Sequence, residues 1–314
     1  MRVLRLVMFA AFWMASTAWA AFPDQPIKLV VPYDPGTVDA AGRIVARRME
    51  EDLKTTIVIE NVAGAAGTIG SARVAKAPPD GYTILYGSSS VFVQDKHFYK
   101  LSFDPAKDFV PICGGLKTGL FLLVNNKLGV KTLAELVALA KAQPGKLTYG
   151  SSGNGSSGNI AGEVLKQRAG LDITHVPYKN SGTTLTDLLG GRISMFFYTY
   201  QFAEPYLKNG TLIALGYTGK ERLPAAPTIP TFAESGFPGF DQGVWFSFFA
   251  PAATPKDVVA RLNAAVRHGL QAEELKKFYD WVPMPTTPEG LGQLVTEESR
   301  QFDAQIKTLD IKTN

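Results

Sequence analysis

Leu147-Thr148-Tyr149-Gly150-Ser151-Ser152-Gly153-Asn154-Gly155-Ser156-Ser157-Gly158 is a short apolar run that breaks into a glycine- and serine-rich turn, after which helical spacing sets in at Asn159. A strand, a tight turn and a helix start leave backbone N–H groups unpaired at the positive end of a helix dipole. Such a start is a ready anion site. The device occurs a second time. Ile27–Val31 runs into Pro32-Tyr33-Asp34-Pro35-Gly36-Thr37-Val38-Asp39, and Ala40, Ala41, Ile44, Val45, Met49 and Leu53 then recur on one helical face, with Thr37 or Asp39 as its N-cap. Two such turns in one chain imply a site for a small anion, a carboxylate above all, between two lobes.

Working outward, apolar runs alternate with helical patterns. Residues 56–59, 82–86, 120–124, 147–149, 172–176, 193–198 and 213–217 read as strands. Residues 39–53, 132–142, 159–169, 183–189 and 202–208 read as helices, several of them closed by Gly or Asn-Gly. This alternation predicts an α/β chain with mostly parallel sheets covered by helices. Two apolar passages, 121–125 and 244–249, read as hinge strands crossing between lobes. Lobe I is then 21–120 with 250–314, and lobe II is 126–243. Two helical patterns, 256–271 and 288–308, follow the second crossing.

The N-terminus reads as an export signal. Arg2 and Arg5 precede an apolar run from Leu6 to Trp19, and Ala18-Trp19-Ala20 supplies a small-x-small exit, so 1–20 is expected to be a signal peptide and the chain periplasmic. The 314 residues exceed one usual core. A formal charge of +4, without a Lys/Arg cluster, gives no argument for nucleic acid. The single Cys113 sits in an apolar stretch, and the three histidines, His97, His175 and His268, are scattered. Neither a disulfide nor a metal site has spacing to rest on.

Other motifs are weaker. Gly153-Asn154-Gly155-Ser156-Ser157-Gly158 fits a dinucleotide fingerprint, but Asp172, the acid near the required distance, begins its strand instead of ending it. No cofactor is expected. Gly64-Ala65-Ala66-Gly67-Thr68-Ile69-Gly70 lacks the Lys-Ser/Thr ending of a phosphate loop and reads as a packing turn. Gly87-Ser88-Ser89-Ser90 offers hydroxyls at a sheet's C-terminal edge. No Ser has glycines at both −2 and +2, and no His-Glu-x-x-His occurs.

The mature opening, Phe22-Pro23-Asp24-Gln25-Pro26-Ile27-Lys28-Leu29-Val30-Val31-Pro32-Tyr33, together with Val58-Ile59-Glu60-Asn61, Ala75-Lys76-Ala77-Pro78-Pro79-Asp80-Gly81-Tyr82-Thr83, Pro144-Gly145-Lys146-Leu147-Thr148-Tyr149-Gly150-Ser151, Val176-Pro177-Tyr178-Lys179, Thr186-Asp187-Leu188-Leu189-Gly190-Gly191 and Phe248-Phe249-Ala250-Pro251-Ala252-Ala253-Thr254-Pro255, resembles the tripartite tricarboxylate transporter-type (Bug) periplasmic solute-binding receptors. The order and spacing of these pieces cover essentially the whole mature chain. The resemblance implies a two-lobe periplasmic-binding-protein (Venus flytrap) fold and no enzymatic role. It further implies capture of a small carboxylate for a membrane transporter or sensor, by a monomer.

Carried over residue by residue, it implicates Tyr33, Asp34, Gly36, Thr37 and Asp39 in lobe I, with Ser88 and Ser89 nearby. In lobe II it implicates Ser152, Gly153, Asn154, Gly155, Ser156 and Tyr178. This chain departs from the family twice. Gly36 runs straight into Thr37, one residue short of paired glycines, and Asp34 stands where a neutral residue is usual. Phe197 and Tyr198 stand where an Asp and often an Asn are usual, so they either line the site or pack in the core. As lining, they favour an aromatic or otherwise amine-free mono- or dicarboxylate, while Asp34 favours an amine. An exported enzyme acting on a small anionic substrate, or a ligand-independent interaction module, are the rival readings.

Overall fold

A computed structural model describes residues 22–277 and 280–309, so the expected signal peptide lies outside the described residues. In chain order the elements are β1 (Ile27–Val31), α1 (Thr37–Leu53), β2 (Ile57–Asn61), α2 (Thr68–Ala75), β3 (Thr83–Ser88), β4 (Phe109–Gly119), β5 (Phe121–Asn125), α3 (Leu133–Ala142), β6 (Thr148–Ser151), α4 (Ser157–Ala169), β7 (Thr174–Pro177), α5 (Ser181–Leu189), β8 (Met195–Tyr198), α6 (Tyr200–Lys208), β9 (Leu212–Tyr217), β10 (Gly243–Pro251), α7 (Lys256–Gly269), β11 (Val282–Pro283) and α8 (Pro288–Gln305). They form two sheets, ordered β11-β4-β10-β3-β1-β2 and β7-β6-β8-β5-β9.

The sheets are mixed, where mostly parallel ones were expected. β2, β1 and β3 are parallel, as are β7, β6 and β8. β10 runs antiparallel to β3 and β4, and β5 runs antiparallel to β8 and β9. The cause is the crossing. A strand entering a sheet from the other lobe runs away from the hinge, against strands that run toward it.

That rule also fixes where the other strands end. β4 ends at Gly119 and β10 begins opposite it at Gly243. Because β10 opposes β3, and β3 parallels β1 and β2, all three end at the hinge edge. In the second sheet β5 leaves the hinge, so β6, β7 and β8 end there too. The turns that follow β1 and β6 therefore both lie at the hinge edges of their sheets.

The segments expected to be hinge strands each belong to one sheet: β5 is internal to the second, and β10 is internal to the first. The chain passes between sheets at Gly119–Leu120 and returns over 218–242. The passage is stitched. Leu120 N–H donates to Thr218 Oγ1 at 2.8 Å, Thr218 N–H donates to the Leu120 carbonyl at 2.9 Å, and the Thr218 hydroxyl donates to the Gln242 carbonyl.

β4, eleven residues long, was not read from the sequence. Gly114 and Gly115 interrupt its alternation because backbone presses on the strand there. A Cβ on Gly114 would lie 2.2 Å from the Met284 carbonyl, and one on Gly115 would lie 2.4 Å from the Phe246 carbonyl. Cys113 is buried in the core, as a small apolar residue would be.

α1 buries Ala41, Val45, Met49 and Leu53, at one-turn spacing, against Leu262, Ala265 and Val266 of α7 and the β1–β3 face. Each of the Val, Leu and Met side chains among them contributes about 1.5–3 kcal/mol on leaving water. This burial holds the start of α1 at the cleft edge.

Candidate functional site

The α1 start differs from the expected capping. Gly36, with extended φ of 176°, is the N-cap, Thr37 is the first helical residue, and no side chain caps the helix. Asp39 lies inside the first turn, buried and fully engaged with its neighbours. Its carboxylate accepts from Arg43 Nε at 2.9 Å and from Asn61 Nδ2 at 3.0 Å, and Asn61 also donates to the Tyr33 carbonyl at 3.0 Å. Asp39 is thus a brace between α1, β2 and the turn after β1, and the backbone amides of Thr37, Val38 and Asp39 are what the turn presents. Asp34 and Gly36 are exposed, and Thr37 is half-buried.

Tyr33 donates from its phenol to Ser88 Oγ at 2.6 Å and meets Phe246 edge-on at 5.5 Å. Burial pushes its pKa upward, so the phenol stays neutral. α2 also lacks a side-chain cap, and a Cβ on its N-cap Gly67 would lie 3.0 Å from the Tyr33 hydroxyl. Tyr33 therefore stands beside both uncapped starts. Ser88 and Ser89 are buried, Ser88 beneath Tyr33 and Ser89 accepting from Trp245 N–H at 3.4 Å. They support the turn from below.

The second-lobe turn satisfies much of itself. Gly153 N–H donates to Ser151 Oγ at 3.1 Å, Gly155 N–H to Asn159 Oδ1 at 3.0 Å, and Ser156 Oγ caps α4 by accepting from Asn159 N–H at 3.3 Å. Ser152 is exposed and Asn154 half-buried. Tyr178 follows β7; its N–H donates to the Ser151 carbonyl and its hydroxyl to Asp187 Oδ2 at 2.7 Å. Burial first, and the Asp187 contact after it, push its pKa up to about 12.

Phe197 is a core residue, and its placement as lining is corrected. It is 1% exposed and packs on Phe232 and Phe240, because alternation along β8 turns it to the face opposite Tyr198. Tyr198 is half-buried, stacked on Phe196 at 4.8 Å and tilted against Phe202 at 5.2 Å.

Several residues at the interlobe face carried no signal in the sequence. The Tyr99 hydroxyl donates to the Asn154 carbonyl at 3.2 Å, which joins the lobes at the second turn. Asp95, just before it in the chain, is fully buried with neither carboxylate oxygen hydrogen-bonded, and burial pushes its pKa up to about 7. Asp280 Oδ2 accepts from Gln201 N–H at 3.2 Å, which joins the C-terminal return to α6. These partners are 55 and 79 residues apart, and no local pattern links them.

One pairing resembles a catalytic dyad. Ser151 Oγ lies 2.7 Å from His175 Nε2. Ser151 is fully buried and also bonds to both polar backbone groups of Gly153, so it holds the turn in shape. Burial and the nearby Lys166 charge lower the His175 pKa to about 4, leaving the imidazole neutral. Among the described residues there is no group of three or more His, Cys, Asp or Glu that could hold a metal ion, and no helix is long and apolar enough to cross a membrane.

Comparison with known proteins shows the family of the chain. Residues 41–311 match the model of the tripartite tricarboxylate transporter family receptor. The UPF0065 protein in the tcbD-tcbE intergenic region of Pseudomonas sp. (strain P51) is 36% identical over 300 residues, 94% of this chain and 89% of that protein. Among solved structures, R. palustris Rpa4515 with adipate is 32% identical, with a TM-score of 0.86 over 93% of this chain and all of that one. MatC (Rpa3494) from Rhodopseudomonas palustris with bound malate is also 32% identical, with a TM-score of 0.80 over 90% of this chain and 99% of that one. The chain belongs to the tripartite tricarboxylate transporter receptor family.

Proposed function

We propose that the protein is a periplasmic receptor that captures a small carboxylate between its lobes and presents it to a membrane transporter or sensor. The observation that carries this reading is the start of α1. At the facing edges, α4 and α5 are capped by Ser156 and Asn180, and α6 by the Asp280 carboxylate. The amides of Thr37, Val38 and Asp39 have no side-chain cap and open beside exposed Gly36. Backbone donors suit an anion because they lose little side-chain freedom on binding.

The magnitudes are adequate. A hydrogen bond to a charged group contributes about 1.5–3 kcal/mol, so three give roughly 5–9 kcal/mol before ordering costs. Micromolar affinity requires about 8 kcal/mol. Related proteins hold adipate and malate, both carboxylates. Closure follows if the ligand touches both lobes, because only contacts made jointly favour the closed form. The lobes meet at Tyr99 and Asn154 on one side and at the stitched passage on the other.

The Ser151–His175 pairing does not serve the enzyme reading, because Ser151 is fully buried. A thermal-shift panel of benzoate, hexanoate, malate, adipate and glutamate tests the proposal. The expected result is a raised Tm with an amine-free carboxylate. A rise with glutamate alone contradicts the amine-free reading, and no rise with any member contradicts the receptor reading.

A further inference from the structure

The start of α6 is capped from the other lobe. Its N-cap, Thr199, makes no side-chain bond, yet Asp280 Oδ2 accepts from Gln201 N–H. The Asp280 carboxylate is fully buried. Burial raises its pKa, while the Gln201 and Tyr200 amides draw it back down. A carboxylate of the protein itself thus occupies a helix N-terminus at the cleft edge, the position an external anion would take.

Its surroundings connect it to the α1 turn. Trp281, 5% exposed, lies tilted against Phe246 at 5.3 Å, and Phe246 meets Tyr33 at 5.5 Å. An aromatic row therefore runs from the uncapped α1 start to the α6 start. At its far end Asp280 Oδ1, Gln201 Oε1 and Trp281 Nε1 are buried without hydrogen-bond partners, two acceptors against one donor. With acceptors in excess and the Asp280 charge beside them, this end is hostile to added negative charge.

We propose that Asp280 is a specificity-determining positioning residue: by filling the α6 N-terminus it confines the ligand's carboxylate to the α1 turn and rejects a second carboxylate at the far end. The proposal rests on the carboxylate-receptor reading and narrows it to monocarboxylates.

The test is isothermal titration of the full mature chain, its D280A variant and its D280N variant with hexanoate and with adipate, the dicarboxylate of equal length, at pH 7.5. In D280A the affinity for adipate relative to hexanoate is expected to rise at least tenfold. D280N, which keeps an acceptor for Gln201 but loses the charge, is expected to show a smaller rise. A ratio unchanged within twofold in both variants overturns the proposal, and D280N alone decides if D280A does not fold. A mature chain that binds neither acid counts against the receptor reading instead. In that event adipate binding gained by either variant still upholds the role of Asp280, and none gained overturns it.

Discussion

The ring of Phe98 fills the space that a side chain on Gly155 would need. A Cβ built on Gly155 would lie 2.5 Å from Phe98 Cδ2, and Gly155 has φ of +78°. The first lobe is thus seated on the backbone of the second-lobe turn, next to the Tyr99–Asn154 bond. Gly155→Ala meets two costs, about 1–2 kcal/mol for a left-handed φ and about 1–3 kcal/mol for overpacking. The expected loss in urea unfolding is roughly 2–5 kcal/mol. Adding Phe98→Ala should remove the overpacking part, so that the double variant loses less than the two single losses combined. Strict additivity would show that Phe98 and Gly155 do not press on one another.

Thr37→Pro deletes one amide from the α1 start. Proline fits the first helical position, where its N–H has no intrahelical partner, and the extended Gly36 before it accepts a following proline. Stability should change by less than about 1 kcal/mol. Carboxylate affinity should fall roughly 10- to 100-fold, the loss of one charge-assisted bond. Thr37→Val, which keeps the N–H, should bind much more nearly as the parent chain does. Equal losses in both would assign the contact to the hydroxyl.

Asp95 makes stability depend on pH in an unusual direction. Its ordinary value is 3.8 and burial raises it to about 7, so between those values the folded chain holds a proton that the unfolded chain has released. Stability should therefore fall as pH rises through that window, with the contribution lost above about 7. The shift sets a ceiling of roughly 4 kcal/mol. Asp95→Asn should be more stable than the parent chain at pH 8, with the difference vanishing near pH 4. Denaturant midpoints measured at both values check this, and a constant difference contradicts it.

The parts of the fold carried by local patterns were legible in the sequence. Thr132 caps α3 and Gly170 closes α4, as their residue types foretell. β4 was not legible, because its glycines answer to Met284 and Phe246, which are remote in sequence. Thr37 and Asp39 both look like N-caps, yet Gly36 takes that position and Asp39 is drawn to Arg43 and Asn61. Phe197 and Tyr198 are neighbours of like character, and only the pleat sends Phe197 to Phe232 and Phe240 and Tyr198 to the side of Phe196. The joints between lobes, Tyr99 with Asn154 and Asp280 with Gln201, have no local signature.

The most direct test of carboxylate capture at the α1 turn is a 15N amide titration of the mature chain with each acid of the panel. The amides of Thr37, Val38 and Asp39 should shift together with those of Ser152–Asn154 across the cleft, saturating at one ligand per chain. Shifts confined to other surfaces, or no shift with any acid, would contradict a carboxylate held between the two turns.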